Sequence, residues 1–208
     1  MFRNLTTVVR ALLWVNIAVF LLQQVWPYQL EEYFALWPVG ASQRYGAPPF
    51  GIWQLLSYGF LHGGVGHIFM NMFALCMFGP ALEQLLGARR FLNYYLVCVA
   101  GAGIAQQLVQ FYLTHGSDPT VGASGGIFGL LLLFGMAYPN QKVMWIFPPI
   151  VMRAWVFVTI YGLAELLMGV FNVMPGVAHF AHIGGMAAGF LLIRYWHAVQ
   201  MARDPDRH

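Results

Sequence analysis

The chain alternates long apolar runs with short polar clusters. A membrane-spanning helix needs about 20 mainly apolar residues, because the hydrocarbon core of a bilayer is about 30 Å thick. Six runs follow this pattern, at about residues 8–25, 66–86, 91–113, 124–138, 152–173 and 179–199, of which the fourth is the shortest. We therefore predict a bundle of six transmembrane helices that forms one membrane domain over residues 1–208.

The composition excludes an ordinary soluble domain. The 208 residues are 60% hydrophobic and only 8% charged, whereas soluble proteins carry roughly 25% charged residues. The formal net charge is +3, but the basic residues never cluster in more than a pair, so nucleic acid is not an expected partner. Cys76 and Cys98 lie within apolar runs, which favours free thiols over a disulfide. The predicted fold class is an all-α integral membrane protein whose surroundings are the lipid bilayer.

The basic residues predict the orientation of this bundle, because cytoplasmic segments carry an excess of Lys and Arg. All but one of them fall on the same side of the predicted spans. They are Arg3, Arg10, Arg89, Arg90, Lys142, Arg153, Arg194, Arg203 and Arg207. Only Arg44 lies on the opposite side. Both termini are therefore expected in the cytoplasm, with segments 26–65, 114–123 and 174–178 outside.

A few polar side chains lie inside the predicted spans, where they are costly and mark functional sites by default. They are His67, Asn71, Ser124, Glu165, His179 and His182, with Glu83 nearer the cytoplasmic end of its span. His67 and Asn71 are four residues apart and share one helical face. Hydrogen bonding between helices explains these two residues equally well.

Ser124 and His182 both lie among glycines spaced four residues apart. The glycine pairs are Gly122 with Gly126, Gly125 with Gly129, and Gly185 with Gly189. Small residues at this spacing let helices approach closely, which would bring a hydroxyl and an imidazole within hydrogen-bond reach, as an activated serine requires. At 1.5 Å per residue from the cytoplasmic boundaries, Ser124 lies about 22 Å and His182 about 18 Å into the bilayer. These similar depths favour a site in an outward-facing cavity.

Three motifs lie on or next to the second, fourth and sixth predicted helices. They are Phe60-Leu-His-Gly-Gly-Val-Gly-His-Ile-Phe-Met-Asn71, Gly122-Ala-Ser-Gly125 and Ala181-His-Ile-Gly-Gly185. In this order they resemble the rhomboid family of intramembrane serine proteases. The resemblance implies that Ser124 is the nucleophile and His182 the general base and then acid. It also implies an oxyanion hole made by the His67 and Asn71 side chains and the Ser124 backbone N–H.

The same resemblance implies supporting roles for other residues of the motifs. His62 would organise the loop beneath the mouth of the site, and Glu83 would be a structural acid near the cytoplasmic end of the second helix. Four glycines would support the site and its close helix packing: Gly122, Gly125, Gly184 and Gly185. We expect no metal and no cofactor.

The resemblance further implies that the substrates are transmembrane segments of other membrane proteins, which enter laterally and unwind locally before cleavage. We predict the gate at the fifth span and the 174–178 loop, where Pro175-Gly176 limits helical continuity. The chain is expected in a bacterial inner membrane, with the site open to the outer, periplasmic side.

Three residues near the proposed pair are harder to interpret. Phe128 stands where some members of the family carry a tyrosine beneath the histidine, so the stacking surface is kept and the hydroxyl is lost. We expect Glu165, at the depth of the pair, to hydrogen-bond to a neighbouring helix, with orientation of His182 as the alternative. His179 is expected at the wet mouth of the cavity. Because no other acid is placed to join the pair, the scarcity of charge favours a two-residue mechanism.

Other classes of membrane protein stay open. His62, His67, His179 and His182 would suit a metal or haem protein, but no His-Glu-x-x-His motif is present and these histidines lie near the outer surface. A transporter would show polar groups at both depths of the membrane, whereas the cytoplasmic half of the spans is nearly all apolar. A proteolytically inactive relative of the family is a further alternative, although it would be expected to have lost one residue of the proposed pair.

Overall fold

The computed structural model describes residues 5–145, 149–174 and 176–203. Within them most residues are helical, which confirms the predicted all-α class. The helices are α1 (Thr7–Val25), α2 (Pro27–Phe34), α3 (Ala41–Tyr45), α4 (Gln54–Ser57), α5 (Val65–Leu86), α6 (Ala88–Val109), α7 (Ser124–Ala137), α8 (Ala154–Val170) and α9 (His179–Arg203). A 3-10 turn over Tyr58–Phe60 precedes α5, and a π-helical turn over Gln110–Thr114 prolongs α6.

Two short strands, which the sequence analysis did not predict, lie between α7 and α8. Strand β1 (Lys142–Trp145) pairs antiparallel with β2 (Ile150–Arg153). The second strand is mostly apolar and runs directly into α8. The predicted fifth span, 152–173, therefore included the end of this strand. The structure instead begins α8 at Ala154.

In the described part of the chain, three helical stretches are long and apolar enough to cross a membrane. They are Thr7–Val25, Val65–Leu86 and Ala88–Thr114. Helices α7 and α8 are apolar but shorter, with 14 and 17 residues, and α9 has 25. Each of the six apolar runs thus contains one helix, while six membrane crossings and cytoplasmic termini stay predictions. Arg3 and Arg207, two of the residues behind the predicted orientation, lie outside the described residues.

The start of α1 is held by a buried carboxylate from the end of α5. Glu83 accepts hydrogen bonds from the backbone N–H groups of Val8 and Val9, at 3.0 and 2.9 Å, and from the hydroxyl of Thr6. The first N–H groups of a helix have no partner within the helix, and a negative charge there also complements the helix dipole. Glu83 therefore joins two helix ends, far from the polar cluster described below.

Glycines allow helices α6, α7 and α9 to pack with their backbones almost in contact. A Cβ atom at Gly185 would collide with the backbone carbonyl of Gly125, and a Cβ at Gly184 would collide with the side chain of Ala105. Gly125 itself is covered by the side chain of Ala102. Backbones come this close only where side chains are missing. The result is that the N-terminal parts of α7 and α9 meet.

Candidate active site

Ser124 is the first residue of α7, and the segment before it is anchored by backbone hydrogen bonds. Thr120 exchanges two such bonds of 3.0 Å with Leu36, and Gly122 donates its N–H to the carbonyl of Tyr58 at 2.9 Å. Gly122 has φ +133°, a conformation that residues with a side chain avoid. This requirement explains the glycine two residues before the serine.

His182 lies one turn into α9 and faces Ser124 directly. The distance from His182 Nε2 to Ser124 Oγ is 2.8 Å, which is a hydrogen bond. The side chain of His182 is buried and stacks on Phe128, with 4.2 Å between the ring centroids. Phe128 thus supplies the stacking surface expected at that position. The hydroxyl and the imidazole are arranged as a nucleophile and its base require.

Glu165 and His179 complete a buried cluster behind His182. One oxygen of Glu165, Oε2, lies 2.8 Å from His182 Nδ1 and 2.7 Å from His179 Nδ1. The other ring nitrogen of His179, Nε2, lies 2.9 Å from the carbonyl oxygen of Val173. The two-residue mechanism favoured from the sequence therefore leaves out a carboxylate that contacts the histidine.

The predicted position of His179 at a wet cavity mouth was wrong. Only 5% of His179 is exposed, because the chain between α8 and α9 folds back over it and offers the Val173 carbonyl. The sequence did contain signals for this cluster. His179 and His182 are three residues apart on one helical face, and Glu165 was placed at their depth. What the sequence did not contain was the rotation of α8 that turns Glu165 toward them.

His67 lies beside the serine, on the other side of Gly122. A Cβ at Gly122 would be 2.8 Å from His67 Nε2. The backbone N–H of Gly63 donates to His67 Nδ1 at 3.3 Å. Since Nδ1 accepts a hydrogen bond, a neutral His67 carries its proton on Nε2. That N–H is therefore available on the side of the ring that faces Gly122.

Asn71 lies one turn further along α5 and lines the same cavity as Ser124 and His182. Its side chain is buried, and its amide donates to the carbonyl oxygen of His67 at 3.0 Å. An amide group carries two N–H donors, so this bond leaves one of them for another acceptor. Asn71 and His67 thus offer neutral donors near the serine.

His62 does not line the cavity but packs behind His67, with 5.2 Å between the ring centroids. Its backbone is clamped by Gln23 of α1, which accepts from the His62 N–H at 2.9 Å and donates to its carbonyl at 3.3 Å. Neither ring nitrogen has a hydrogen-bond partner among the described residues. Burial, and next the neighbouring His67, lower the pKa of His62 to about 4, with the backbone of Phe60 acting in the opposite direction. His62 is therefore uncharged near neutral pH, and its role in organising the loop before α5 stays a prediction.

Other residues singled out from the sequence lie behind or away from the site. Gly184 and Gly185 face α6 and α7 and set the approach of α9, as described above. Glu83 lies twelve residues after Asn71 in the same helix, about 18 Å along its axis. Pro175 of the predicted gate lies outside the described residues, whereas Gly176 is described and has φ +99°.

A cavity of about 1060 Å³ extends from Ser124 and His182 between α5 and α8. Its walls are mainly apolar, with side chains such as Met70, Phe73, Met77, Leu131, Phe157 and Tyr161. Cavities that hold small ligands are about 300–1,000 Å³, so this one has room for several residues of an apolar peptide. The side chains of His67, Asn71, Ser124 and His182 all line it.

Among the described residues, Glu165, His179 and His182 form a group whose donor atoms could also hold a metal ion. One ligand atom from each residue lies within 4.8 Å of the others. The two Nδ1 atoms are, however, at hydrogen-bond distances from the same carboxylate oxygen. A metal would have to replace the protons of these hydrogen bonds, since both histidines and carboxylates bind metals in deprotonated form.

The sequence of this chain is similar to that of several known proteins. Residues 49–198 match the family model of the Rhomboid domain. RHOMBOID-like protein 4 of Arabidopsis thaliana is 40% identical over 146 residues, which cover 67% of this chain and 33% of that protein. The putative rhomboid protease YdcA of Bacillus subtilis is 34% identical over 143 residues, covering 67% and 65%. Rhomboid protein 1, mitochondrial, of Saccharomyces cerevisiae is 29% identical over 187 residues, covering 88% and 51%. The chain thus spans from one third to just under two thirds of the length of these relatives.

Proposed function

Because the chain belongs to the rhomboid family, we propose that it is an intramembrane serine endopeptidase in which Ser124 is the nucleophile and His182 the general base. The observation that carries the proposal is the 2.8 Å hydrogen bond between His182 Nε2 and Ser124 Oγ, at the wall of a large cavity. A serine hydroxyl is a weak nucleophile near neutral pH, and a base within hydrogen-bond reach activates it. The Bacillus subtilis relative YdcA is named a putative rhomboid protease, which supports a hydrolase.

In the proposed reaction, Ser124 Oγ attacks the carbonyl carbon of the scissile peptide bond while His182 Nε2 takes the hydroxyl proton. The C–N bond then breaks, and the imidazolium of His182 gives this proton to the departing amine. An incoming water then gives a proton to His182 Nε2 as its oxygen attacks the acyl carbon. The ester bond to Ser124 Oγ breaks, the acid product leaves, and His182 returns the proton to Ser124 Oγ. The proton transfers in these steps need only one base, His182.

The negative oxygen that forms during attack needs hydrogen-bond donors already in place. We assign this role to the Nε2–H of His67, the free amide N–H of Asn71 and the backbone N–H of Ser124. Losing one such donor commonly lowers kcat by about 100- to 1000-fold. Neutral donors suit this setting, because an unpaired cation buried near the bilayer core would be costly.

We propose that the substrates are transmembrane segments of other membrane proteins, which enter from the bilayer between α5 and α8. The apolar walls of the cavity support this assignment, because an apolar peptide segment can fill the cavity without removing polar side chains of the protein from water. A scissile bond within a helix is shielded, since its amide and carbonyl groups are bonded to neighbouring turns. Substrate helices must therefore unwind locally, which should favour segments with helix-breaking residues.

Movement of α8 and the following loop is the proposed gate. Residues 172, 174 and 176 have positive φ angles, and Asn172, Met174 and Gly176 line the cavity. A cleavable crosslink between cysteines at Ala74 and Phe157, which line the cavity from opposite helices, tests this gate in a chain without its native cysteines. Substrate cleavage should stop when the crosslink forms and return when the crosslink is broken. Equal rates with and without the crosslink would rule out this gate.

We also propose that the termini lie in the cytoplasm and that the site opens to the outer side of a bacterial inner membrane. Several basic residues gather at the end of the bundle where Glu83 joins α1 and α5: Arg10 follows that contact, and Arg89 and Arg90 follow α5. An excess of basic residues is typical of cytoplasmic ends. Labelling of single cysteines in intact cells, at Ser117 and at Gln84, tests the orientation. Preferential labelling of the cysteine at position 84 would show that the chain has the opposite orientation.

The proposed activity is tested with purified chain in proteoliposomes, a model transmembrane substrate and a fluorophosphonate probe. Wild type should cleave the substrate and take up the probe, and Ser124→Ala should do neither. Probe uptake that persists in Ser124→Ala would overturn the nucleophile assignment. A folded wild type that neither cleaves nor reacts would favour the proteolytically inactive alternative.

The buried cluster gives the metal alternative a specific site, at Glu165, His179 and His182. A zinc chelator separates this alternative from the serine mechanism. Activity of the proposed protease should be unchanged by chelation, because no step uses a metal. Loss of cleavage on chelation and its return with added zinc would instead establish a metal enzyme, and a haem absorption band would establish the haem alternative.

A further inference from the structure

Glu165 is an acid on α8 that meets two imidazoles with one carboxylate oxygen. Its Oε2 lies 2.8 Å from His182 Nδ1 and 2.7 Å from His179 Nδ1. Only 6% of Glu165 is exposed, and both histidines are buried as well. A buried carboxylate needs hydrogen-bond donors and a compensating charge, so the protons of this cluster decide what it can do.

The hydrogen bonds of His182 define its tautomer. In the proposed protease, His182 Nε2 accepts the proton of Ser124, so the neutral ring carries its own proton on Nδ1. That Nδ1–H points at Glu165 Oε2, which accepts it at 2.8 Å. The reversed tautomer would place a lone pair against the carboxylate and a proton against the serine. Contact with Glu165 therefore favours the tautomer that catalysis needs.

The hydrogen bonds of His179 define the charge of the cluster. A backbone carbonyl only accepts, so His179 Nε2 carries a proton and donates it to Val173. The contact between His179 Nδ1 and Glu165 Oε2 needs one further proton, which either atom can hold. In one case the pair is imidazolium and carboxylate, and in the other it is imidazole and carboxylic acid. The pair carries no net charge in either case.

This neutrality explains how an acid can remain beside His182 so deep in the protein. Removing a lone carboxylate from water is costly, and a partner of opposite charge with good hydrogen-bond geometry offsets that cost. His179 is such a partner, and its position is set in turn by the carbonyl of Val173. The arrangement is a chain of contacts from Val173 through His179, Glu165 and His182 to Ser124.

Stacking alone does not orient His182. The ring of Phe128 restrains the plane of the imidazole, with 7° between the two rings. A half turn about the bond to the ring keeps that plane but moves both nitrogens away from their partners. The hydrogen bond from Nδ1 to Glu165 distinguishes the two orientations, because a ring carbon would replace the donor after the turn.

We propose that Glu165, held by His179, is a positioning residue that fixes the tautomer and orientation of His182, so that the site works as a Ser124–His182–Glu165 triad supported by His179. This inference rests on the proposed protease activity. It adds a carboxylate to what the sequence suggested as a two-residue mechanism. In triads of other serine proteases, the acid has the same task of orienting the histidine and stabilising its protonated form.

Glu165→Gln tests the proposal, with Glu83→Gln as the matched control. Both variants replace a buried carboxylate by an amide of the same shape, but Glu83 accepts its bonds at the start of α1. Glu165→Gln should lower kcat at least tenfold and the rate of fluorophosphonate labelling by a similar factor, with KM changed less than threefold. Glu83→Gln should lower the melting temperature and leave kcat near that of wild type. A kcat for Glu165→Gln within threefold of wild type, or an equal loss in both variants, would overturn the proposal.

A double variant separates positioning from simple stabilisation. His179→Leu leaves the carboxylate of Glu165 without its charge partner, so its melting temperature should fall strongly. Combining it with Glu165→Gln removes that charge and should recover much of the melting temperature, while kcat stays as low as in Glu165→Gln alone. Recovery of kcat together with stability would show that the acid has only a structural role. Wild type and Ser124→Ala are measured in parallel, since an inert wild type would disprove the protease itself rather than the role of Glu165.

Discussion

The ring of Phe128 lies parallel to the ring of His182, with 4.2 Å between the centroids and 7° between the planes. An aromatic pair of this kind contributes about 0.5–1.5 kcal/mol beyond the burial of its area. If the stack holds the imidazole ready for reaction, Phe128→Leu should lower kcat by a factor of about 2 to 12. Phe128→Tyr keeps the flat surface and should retain most of the activity. Steady-state cleavage of one model substrate by all three proteins measures this, and equal kcat values for Leu and Phe would contradict it.

Asn71→Ala should lower kcat by about 100-fold or more, because it removes a donor from the proposed oxyanion hole. KM should change little, since the donor is needed mainly in the transition state. The chain offers a matched control in Asn16 of α1. Asn16 is also buried, and its amide donates to the carbonyl four residues earlier, as the amide of Asn71 does. Asn16→Ala should therefore lose stability but not kcat, and a similar loss of kcat in both variants would refute the assignment.

The long helices follow from the sequence because a membrane imposes a simple rule of length and apolarity. The short elements do not, since tertiary contacts decide them. Leu36 pairs with Thr120 across 84 positions of the chain, and no local pattern indicates such a contact. The β1–β2 hairpin was missed for a related reason, because its second strand reads as the start of an apolar span.

The residues of the site also differ in how well the sequence predicts them. Ser124 and His182 stand out in the sequence because glycines surround both of them and because the motifs occur in a known order. Glu165 has no motif, and its contact with His182 depends on how α8 is rotated against α9. His179 could be placed on the correct face of α9 but not in the correct environment, because the Val173 carbonyl that buries it belongs to an irregular loop.

Gly185→Ala should separate α7 from α9 and weaken both the fold and the activity. The added Cβ would collide with the carbonyl group of Gly125, next to the serine, and backbone atoms yield less easily than a side chain. Overpacking of a core costs about 1–3 kcal/mol, and here the strain also displaces His182 from Ser124. Gly162→Ala is the control, because its Cβ would meet only the flexible end of Met186, at 3.2 Å. Melting temperature and kcat should both fall in the first variant alone, and equal behaviour of the two variants would contradict close packing at Gly185.

The stability of the protein should decrease as the pH falls through the range in which His62 titrates. Burial lowers the pKa of His62 to about 4 in the folded chain, against about 6.5 for an unperturbed histidine. Between these values the unfolded chain binds a proton that the folded chain does not, so the free energy of unfolding decreases as the pH falls. The contribution of His62 to that free energy is fully present above about pH 6.5 and is lost toward about pH 4. The difference corresponds to about 3 kcal/mol.

Replacement of His62 should remove this part of the pH dependence. His62→Leu removes the titrating ring and keeps a buried apolar side chain at this position. Melting temperatures in detergent at about pH 7 and about pH 4.5 should therefore differ more for wild type than for His62→Leu. His197→Leu removes an exposed histidine instead and should keep the pH dependence of wild type. If the His62→Leu and wild-type values fall in parallel, the protonation of His62 is not coupled to unfolding and its burial costs nothing at low pH.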